Sequence, residues 1–131
     1  MHKAAELLQT YLDASISGDL EGAFACFSED VYFSHRALAK DGPDAPRYEL
    51  RGRAEVRKFL ERAVSNAPVT IRVQTCFAEG RHALIRGDAF DSKTHAPVTS
   101  FINEVVLDPD DGLFNYFASF TATSAVAPPG L

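Results

Sequence analysis

Three residues of this chain have the types and positions to handle a proton or an oxyanion: Tyr11, His35 and Asn103. His35 closes the alternation Val31-Tyr32-Phe33-Ser34-His35, and strand parity sets its ring on the side of Val31 and Phe33, the inward side. An imidazole titrates at about pH 6.5, and burial favours its neutral form, which suits a base at neutral pH. The other reading is a structural imidazole with satisfied nitrogens. Tyr11 stands at the edge of a helical apolar stripe, as a core tyrosine tied to a carbonyl or as a donor to a ligand oxygen. Asn103 interrupts the apolar row Phe101, Val105, Leu107, and a buried amide needs a partner: ligand, water or Tyr11.

Other polar residues have weaker claims. Asp88, Asn115 and Ser119 fall on strands and could line a cavity. Arg36 and Arg86 could pair with a carboxylate. Asp19 reads as a helix cap, Asp30 as a turn residue, His82 and His95 as exposed residues bordering turns, and Glu104 as a residue of the opposite sheet face. An Asp-Arg-Asp hydrolase set would start from Asp88 and Arg86, but no second Asp joins them.

The 131 residues fit one domain, 1–131, with 1–2 and 124–131 loosely ordered. Apolar residues make up 46% and charged residues 24%, an ordinary globular balance. Ten Phe and no Trp point to a core or cavity of phenyl rings, with Phe33, Phe59, Phe101 and Phe117 as the expected ligand-lining ones. The net charge of −5, without a long basic block, speaks against nucleic acid. No apolar run has the length to span a bilayer. No C-x-x-C, H-x-x-x-H or H-E-x-x-H occurs, so no metal is expected, and no cofactor motif is present. Cys26 and Cys76 are widely separated and read as buried thiols of a cytoplasmic, reduced protein.

These residues need elements to position them. Ala5, Leu8, Leu12 and Ile16, flanked by Ala4, Leu7 and Tyr11, predict a helix over 3–17, stopped by Gly18. Asp19 caps a short helix over 20–27. Ser28-Glu29-Asp30 reads as a turn, and a strand starts at Val31 and runs to Arg36. Asp41-Gly42-Pro43-Asp44-Ala45-Pro46 makes 37–50 a loop. Gly52–Val64 is a third helix with Val56, Phe59 and Leu60 inward and Arg53, Arg57, Lys58 and Arg62 on a solvated face. From Val69 the period becomes two: strands Val69–Phe77, His82–Phe90, Val98–Leu107 and Leu113–Thr123, the last two joined by the hairpin signal Asp108-Pro109-Asp110-Asp111-Gly112.

That order predicts α+β: a cone-shaped barrel of a curved, mostly antiparallel sheet with three N-terminal helices packed on it. The last strand sets Phe114, Tyr116 and Phe120 against Leu113, Asn115, Phe117 and Ser119, apolar on both faces. The face without helices should be covered by a second copy, making a homodimer.

The stretch Y-L-D-A-S-I-S-G-D-L-E-G-A-F-A-C-F-S-E-D-V (Tyr11–Val31) and L-R-G-R-A-E-V-R-K-F-L (Leu50–Leu60) resemble the nuclear transport factor 2-like superfamily, and within it the SnoaL-like and ketosteroid-isomerase-like group. The resemblance spans nearly the whole chain. It implies a cone-shaped pocket for a small hydrophobic oxygenated molecule. Steroid isomerases of this fold carry a first-helix Tyr, matched by Tyr11. Their Asp base on the first strand falls at His35, and their second Asp on the penultimate strand falls at Asn103. Proton-transfer chemistry of isomerase, cyclase, dehydratase or hydrolase type follows by resemblance. A non-catalytic ligand-binding or dimerisation module of the same fold is the alternative.

Overall fold

The computed structural model describes residues 2–38, 41–42, 44–64 and 69–122. Helix α1, Lys3–Ile16, opens on His2, whose Nδ1 accepts from the Ala4 amide, and buries Ala5, Leu8 and Leu12 together with Ala4 and Tyr11. Gly18 turns the chain at φ 78°, where a Cβ would be strained. Asp19 then caps α2, Leu20–Phe24, by accepting from the Gly22 amide at 2.9 Å.

The helical pattern of the sequence runs to Phe27, but α2 stops at Phe24 and β1 spans Phe27–His35. Phe27 pairs with Phe114 of β6, and the Phe114 amide donates to the Cys26 carbonyl at 2.8 Å. Sheet pairing outweighs the last half-turn of helix. Ser28-Glu29-Asp30 is strand rather than turn. It sits where the register shifts between Phe27 and Tyr32, which leaves Glu29 and Asp30 exposed.

Strand β2, Tyr48–Arg51, takes up the end of the stretch 37–50 expected to be loop and runs one residue past it. It is an edge strand, antiparallel to β1, with His35 opposite Tyr48 and Phe33 opposite Leu50. Helix α3, Arg53–Ala63, buries Val56, Phe59 and Leu60 as expected. Its arginines are not all free in solvent: the guanidinium groups of Arg53 and Arg57 lie 4.2 and 4.8 Å from the Phe24 ring centre, and Arg57 pairs with Glu21. These cations shield a half-buried phenyl ring.

Strands β3 (Val69–Glu79), β4 (His82–Asp91), β5 (Pro97–Leu107) and β6 (Phe114–Ala122) complete one six-stranded sheet, ordered β2-β1-β6-β5-β4-β3. The β1–β6 pair is parallel and all others are antiparallel. The sheet is curved but not closed, with β2 and β3 as its edges. Helix α1 packs on β3–β5, and α3 on β1 and β2. A single core cluster fills the space between, dominated by Phe27, Phe33, Phe114 and Phe117.

The strict alternation expected along β6 is broken. Val106 pairs with Tyr116 and Leu107 with Phe114, so Asn115 is the extra residue of a bulge, and Phe114 and Phe117 both face the core. The outer face keeps exposed apolar side chains, with Phe77 at 67% and Phe120 at 47%. Cys26 is buried, but Cys76, on edge strand β3 with a neighbouring strand on one side only, is exposed.

Candidate functional site

The inner face of the sheet carries one continuous cross-strand row. Tyr48 pairs with His35, His35 with Ser119, Ser119 with Asn103, and Asn103 with Ile85. Cross-strand partners point to the same face, so His35, Ser119 and Asn103 stand side by side beneath the helices. Strand spacing puts His35 and Asn103 about 10 Å apart at the backbone, with Ser119 between them.

His35 ends β1 with its ring partly buried. Its Nδ1 lies 2.8 Å from the Arg36 carbonyl oxygen. A carbonyl only accepts, so Nδ1 carries the proton and Nε2 holds the lone pair. The ring stacks on Phe33 at 5.8 Å and meets Phe59 at 4.8 Å. Burial in this apolar setting pushes its pKa down to about 4; the bond to Arg36 opposes the fall, and the cationic Arg36 and Arg47 add to it. The imidazole is therefore neutral at pH 7, with a basicity in the range of an ordinary carboxylate.

Asn103 is buried, and its Oδ1 has no hydrogen-bond partner. An unpaired buried amide oxygen costs about 1–3 kcal/mol. Its neighbour Ser119 is likewise buried. Phe101, two residues before Asn103, lies against Gly87, where a Cβ would come within 2.7 Å of the phenyl ring.

Tyr11 is not brought to His35. Its ring meets Phe27, Phe114 and Phe117 at 5.4, 6.1 and 5.0 Å, in the aromatic floor of the core. Phe117 stacks on Phe33 at 5.0 Å, and Phe33 on His35, so two phenyl rings separate the phenol from the imidazole. Burial raises the Tyr11 pKa to about 12; the neighbouring Ser15 hydroxyl offsets part of the rise. Of the phenylalanines expected to line a ligand site, Phe33 and Phe59 touch His35, Phe117 lies behind Phe33, and Phe101 stands two residues along β5 from Asn103, opposite Gly87 and Thr121.

Asp88 faces the outer side of the sheet. Gln74 Nε2 and Ser100 Oγ donate to its two carboxyl oxygens at 3.0 and 2.7 Å, and Arg86 shares that outer face. Among the described residues no cluster of His, Cys, Asp or Glu could hold a metal ion. His82 and His95 are exposed, and His82 Nε2 pairs with Glu104 at 2.7 Å.

Sequence reasoning overlooked Tyr48. It stands opposite His35 in the row, and its ring meets Phe59 edge-on at 5.0 Å. A cavity of about 130 Å3 opens beside it, lined by Tyr48, Leu50, Glu55, Lys58, Phe59 and Arg62. No signal in Tyr48-Glu49-Leu50-Arg51 marks this position, because only the pairing of β2 with β1 brings it to His35.

Helices gathered on one face of a curved, open, mostly antiparallel sheet, with a polar row buried beneath them, define a domain of the nuclear transport factor 2-like class. The chain belongs to the SnoaL-like domain family, whose model matches residues 8–113. Solved structures with the same fold include a putative SnoaL-like polyketide cyclase from Shewanella putrefaciens CN-32, with TM-score 0.69, 15% identity, and 92% of this chain and 80% of that chain covered. A putative ketosteroid isomerase from Kribbella flavida DSM 17836 aligns with TM-score 0.61 and 20% identity over 98% of this chain and 84% of that one. An NTF2-like protein of unknown function from Burkholderia xenovorans LB400 aligns with TM-score 0.67 and 16% identity over 97% and 88%. At these identities the likeness shows the fold alone. No curated protein matches the chain.

Proposed function

We propose that the inner sheet face binds a small apolar molecule bearing one or two oxygens, and that His35 moves a proton on it. The observation that carries this reading is the row itself: an imidazole whose Nε2 holds an unpaired lone pair and the buried Asn103 amide flank the same serine. In the proposed step His35 Nε2 takes a proton from carbon next to a carbonyl. The electron pair moves onto the carbonyl oxygen, the amide N–H of Asn103 donates to the resulting enolate, and the imidazolium returns the proton at another carbon. A phenol with a pKa of about 12 keeps its proton at neutral pH, and Phe117 and Phe33 stand between Tyr11 and His35, so Tyr11 takes no part in this step. The proton removal that forms the enolate is common to isomerase, cyclase and dehydratase reactions; return of the proton to carbon is the isomerase outcome.

A second reading, a ligand-binding module without chemistry, is favoured by the seclusion of Tyr11 behind Phe117 and Phe33. The outer sheet face is proposed to seat a second copy of the chain, since Phe77, Ile102 and Phe120 are exposed there, the last two as cross-strand partners. Two free thiols suit a reducing compartment, the cytoplasm. No described helix is long and apolar enough to cross a membrane.

The test uses 2-tetralone, an apolar ketone with acidic α-protons. Saturable shifts of both the His35 ring and the Asn103 side-chain amide signals on titration are expected. Saturable shifts elsewhere with these two unmoved would overturn the placement, and binding without α-proton exchange would leave the second reading.

A further inference from the structure

Outside the polar row, a hydrogen-bonded cluster of side chains joins the β1–β2 connection to α3. Asp41 accepts from the Tyr48 hydroxyl at 2.7 Å through Oδ2, and from Arg62 Nη2 at 2.6 Å through Oδ1. Arg62 Nη1 also donates to the Tyr48 hydroxyl oxygen. The Leu38 amide donates to Asp41 Oδ2 at 3.1 Å, and the Asp41 amide donates to the Leu38 carbonyl at 2.9 Å. Every member of this triangle of carboxylate, phenol and guanidinium bonds the other two. All three of its bonds involve an ionised group, the stronger kind of hydrogen bond.

Its position gives it a role. Tyr48 is the register partner of His35, and its ring lies edge-on to Phe59, which in turn packs on the His35 ring. Free of the triangle, a tyrosine on a four-residue edge strand would swing between rotamers and open the side of Phe59 to water. Held by Asp41 and Arg62, it closes that side, next to the 130 Å3 cavity that Phe59 and Arg62 also line.

We propose that Asp41, Tyr48 and Arg62 form a clamp that fixes Tyr48 against Phe59 and so keeps water from the His35 ring at this end of the inner face. Tyr48 is thus a positioning residue for His35, acting through Phe59. Its value to a reaction rests on the proposed role of His35, but the shielding itself does not require any ligand.

The experiment follows the His35 ring by NMR across a pH titration of the full chain, with no ligand added. In the wild type the ring titrates well below the usual imidazole range. In Asp41→Ala the midpoint is expected to rise by a unit or more toward about 6.5, and Asp41→Glu is expected to restore most of the fall. Tyr48→Phe keeps the ring but removes the hydroxyl, and serves in the same way should Asp41→Ala fail to fold. Arg57→Ala, which breaks the separate pair with Glu21, is expected to lower stability without moving the midpoint. A His35 midpoint unchanged in folded Asp41→Ala or Tyr48→Phe overturns the clamp, as does an ordinary midpoint in the wild type. Either result leaves the 2-tetralone test of the binding site untouched.

Discussion

His35 and Asn103 are register partners of the same residue, Ser119, one through the parallel β1–β6 pair and one through the antiparallel β5–β6 pair. The two side chains therefore meet one inner-face position from opposite sides, although 68 residues separate them in the chain. A base with its Nε2 lone pair unpaired and an amide with an unpaired oxygen are held this way on paired strands, on either side of Ser119.

The depressed pKa of His35 couples its protonation to stability. The native ring resists protonation down to about pH 4, whereas the unfolded ring takes up its proton near 6.5. The unfolded state thus binds the extra proton between those values. The stabilisation is complete above about pH 6.5, is lost as pH falls to about 4, and is worth about 3 kcal/mol at most. Asp41, whose carboxyl Arg62 and then Tyr48 hold below its ordinary value, contributes with the same sign, lower on the pH scale. Its stabilisation persists above its unfolded pKa and fails only at more acid pH. Urea unfolding at pH 7 and pH 4.5 is expected to show the His35 loss, and His35→Gln is expected to flatten it.

Asn103 is costly to the fold if no ligand is bound. Replacing it with Leu removes a buried acceptor with no partner, and stability is expected to rise by about 1 kcal/mol or to stay level, while 2-tetralone binding weakens. Thermal unfolding and a ligand titration on the same variant check both. A large fall in stability would mean that the amide makes essential internal bonds.

Gly87 admits no side chain. A Cβ there would stand 2.7 Å from the Arg72 carbonyl oxygen and 2.7 Å from Phe101 Cζ. The backbone oxygen cannot yield, so Gly87→Ala is expected to cost about 1–3 kcal/mol and to displace Phe101 from the inner face. Denaturant midpoints measure the cost, and the Phe101 ring signals report the displacement.

The outer face gives a test of assembly. Phe77, at 67% exposure, and Phe120, at 47%, leave much apolar area to water. Sedimentation of the wild type at micromolar concentration is expected to give a dimer, and Phe120→Glu a monomer that keeps its helical and sheet spectrum. A wild-type monomer would remove the second copy from the account.

Much of this was legible from residue pattern. The stripe of α1, the Asp19 cap, the α3 core face and the strand series follow from periods of 3.6 and 2. Parity alone puts His35 with Phe33 and Asn103 with Phe101 and Val105. What stayed hidden depends on pairing between distant segments. Phe27 is strand because Phe114 lies beside it, and Tyr48 is strand because His35 does. The bulge at Asn115 shifts parity without any mark in the local sequence, and it turns Phe114 to the same face as Phe117. The seclusion of Tyr11 is a matter of three-dimensional ring packing, which spacing along a helix does not contain.

The central claim is that His35 moves a proton on a ligand at this row. It is tested most directly by the α-proton exchange of 2-tetralone in D2O, compared between wild type and His35→Ala at equal concentration of folded protein. Loss of the base is expected to slow the protein-catalysed exchange by at least about 100-fold, the usual scale for a positioned general base. Equal rates for the two proteins, both above the buffer rate, would contradict it.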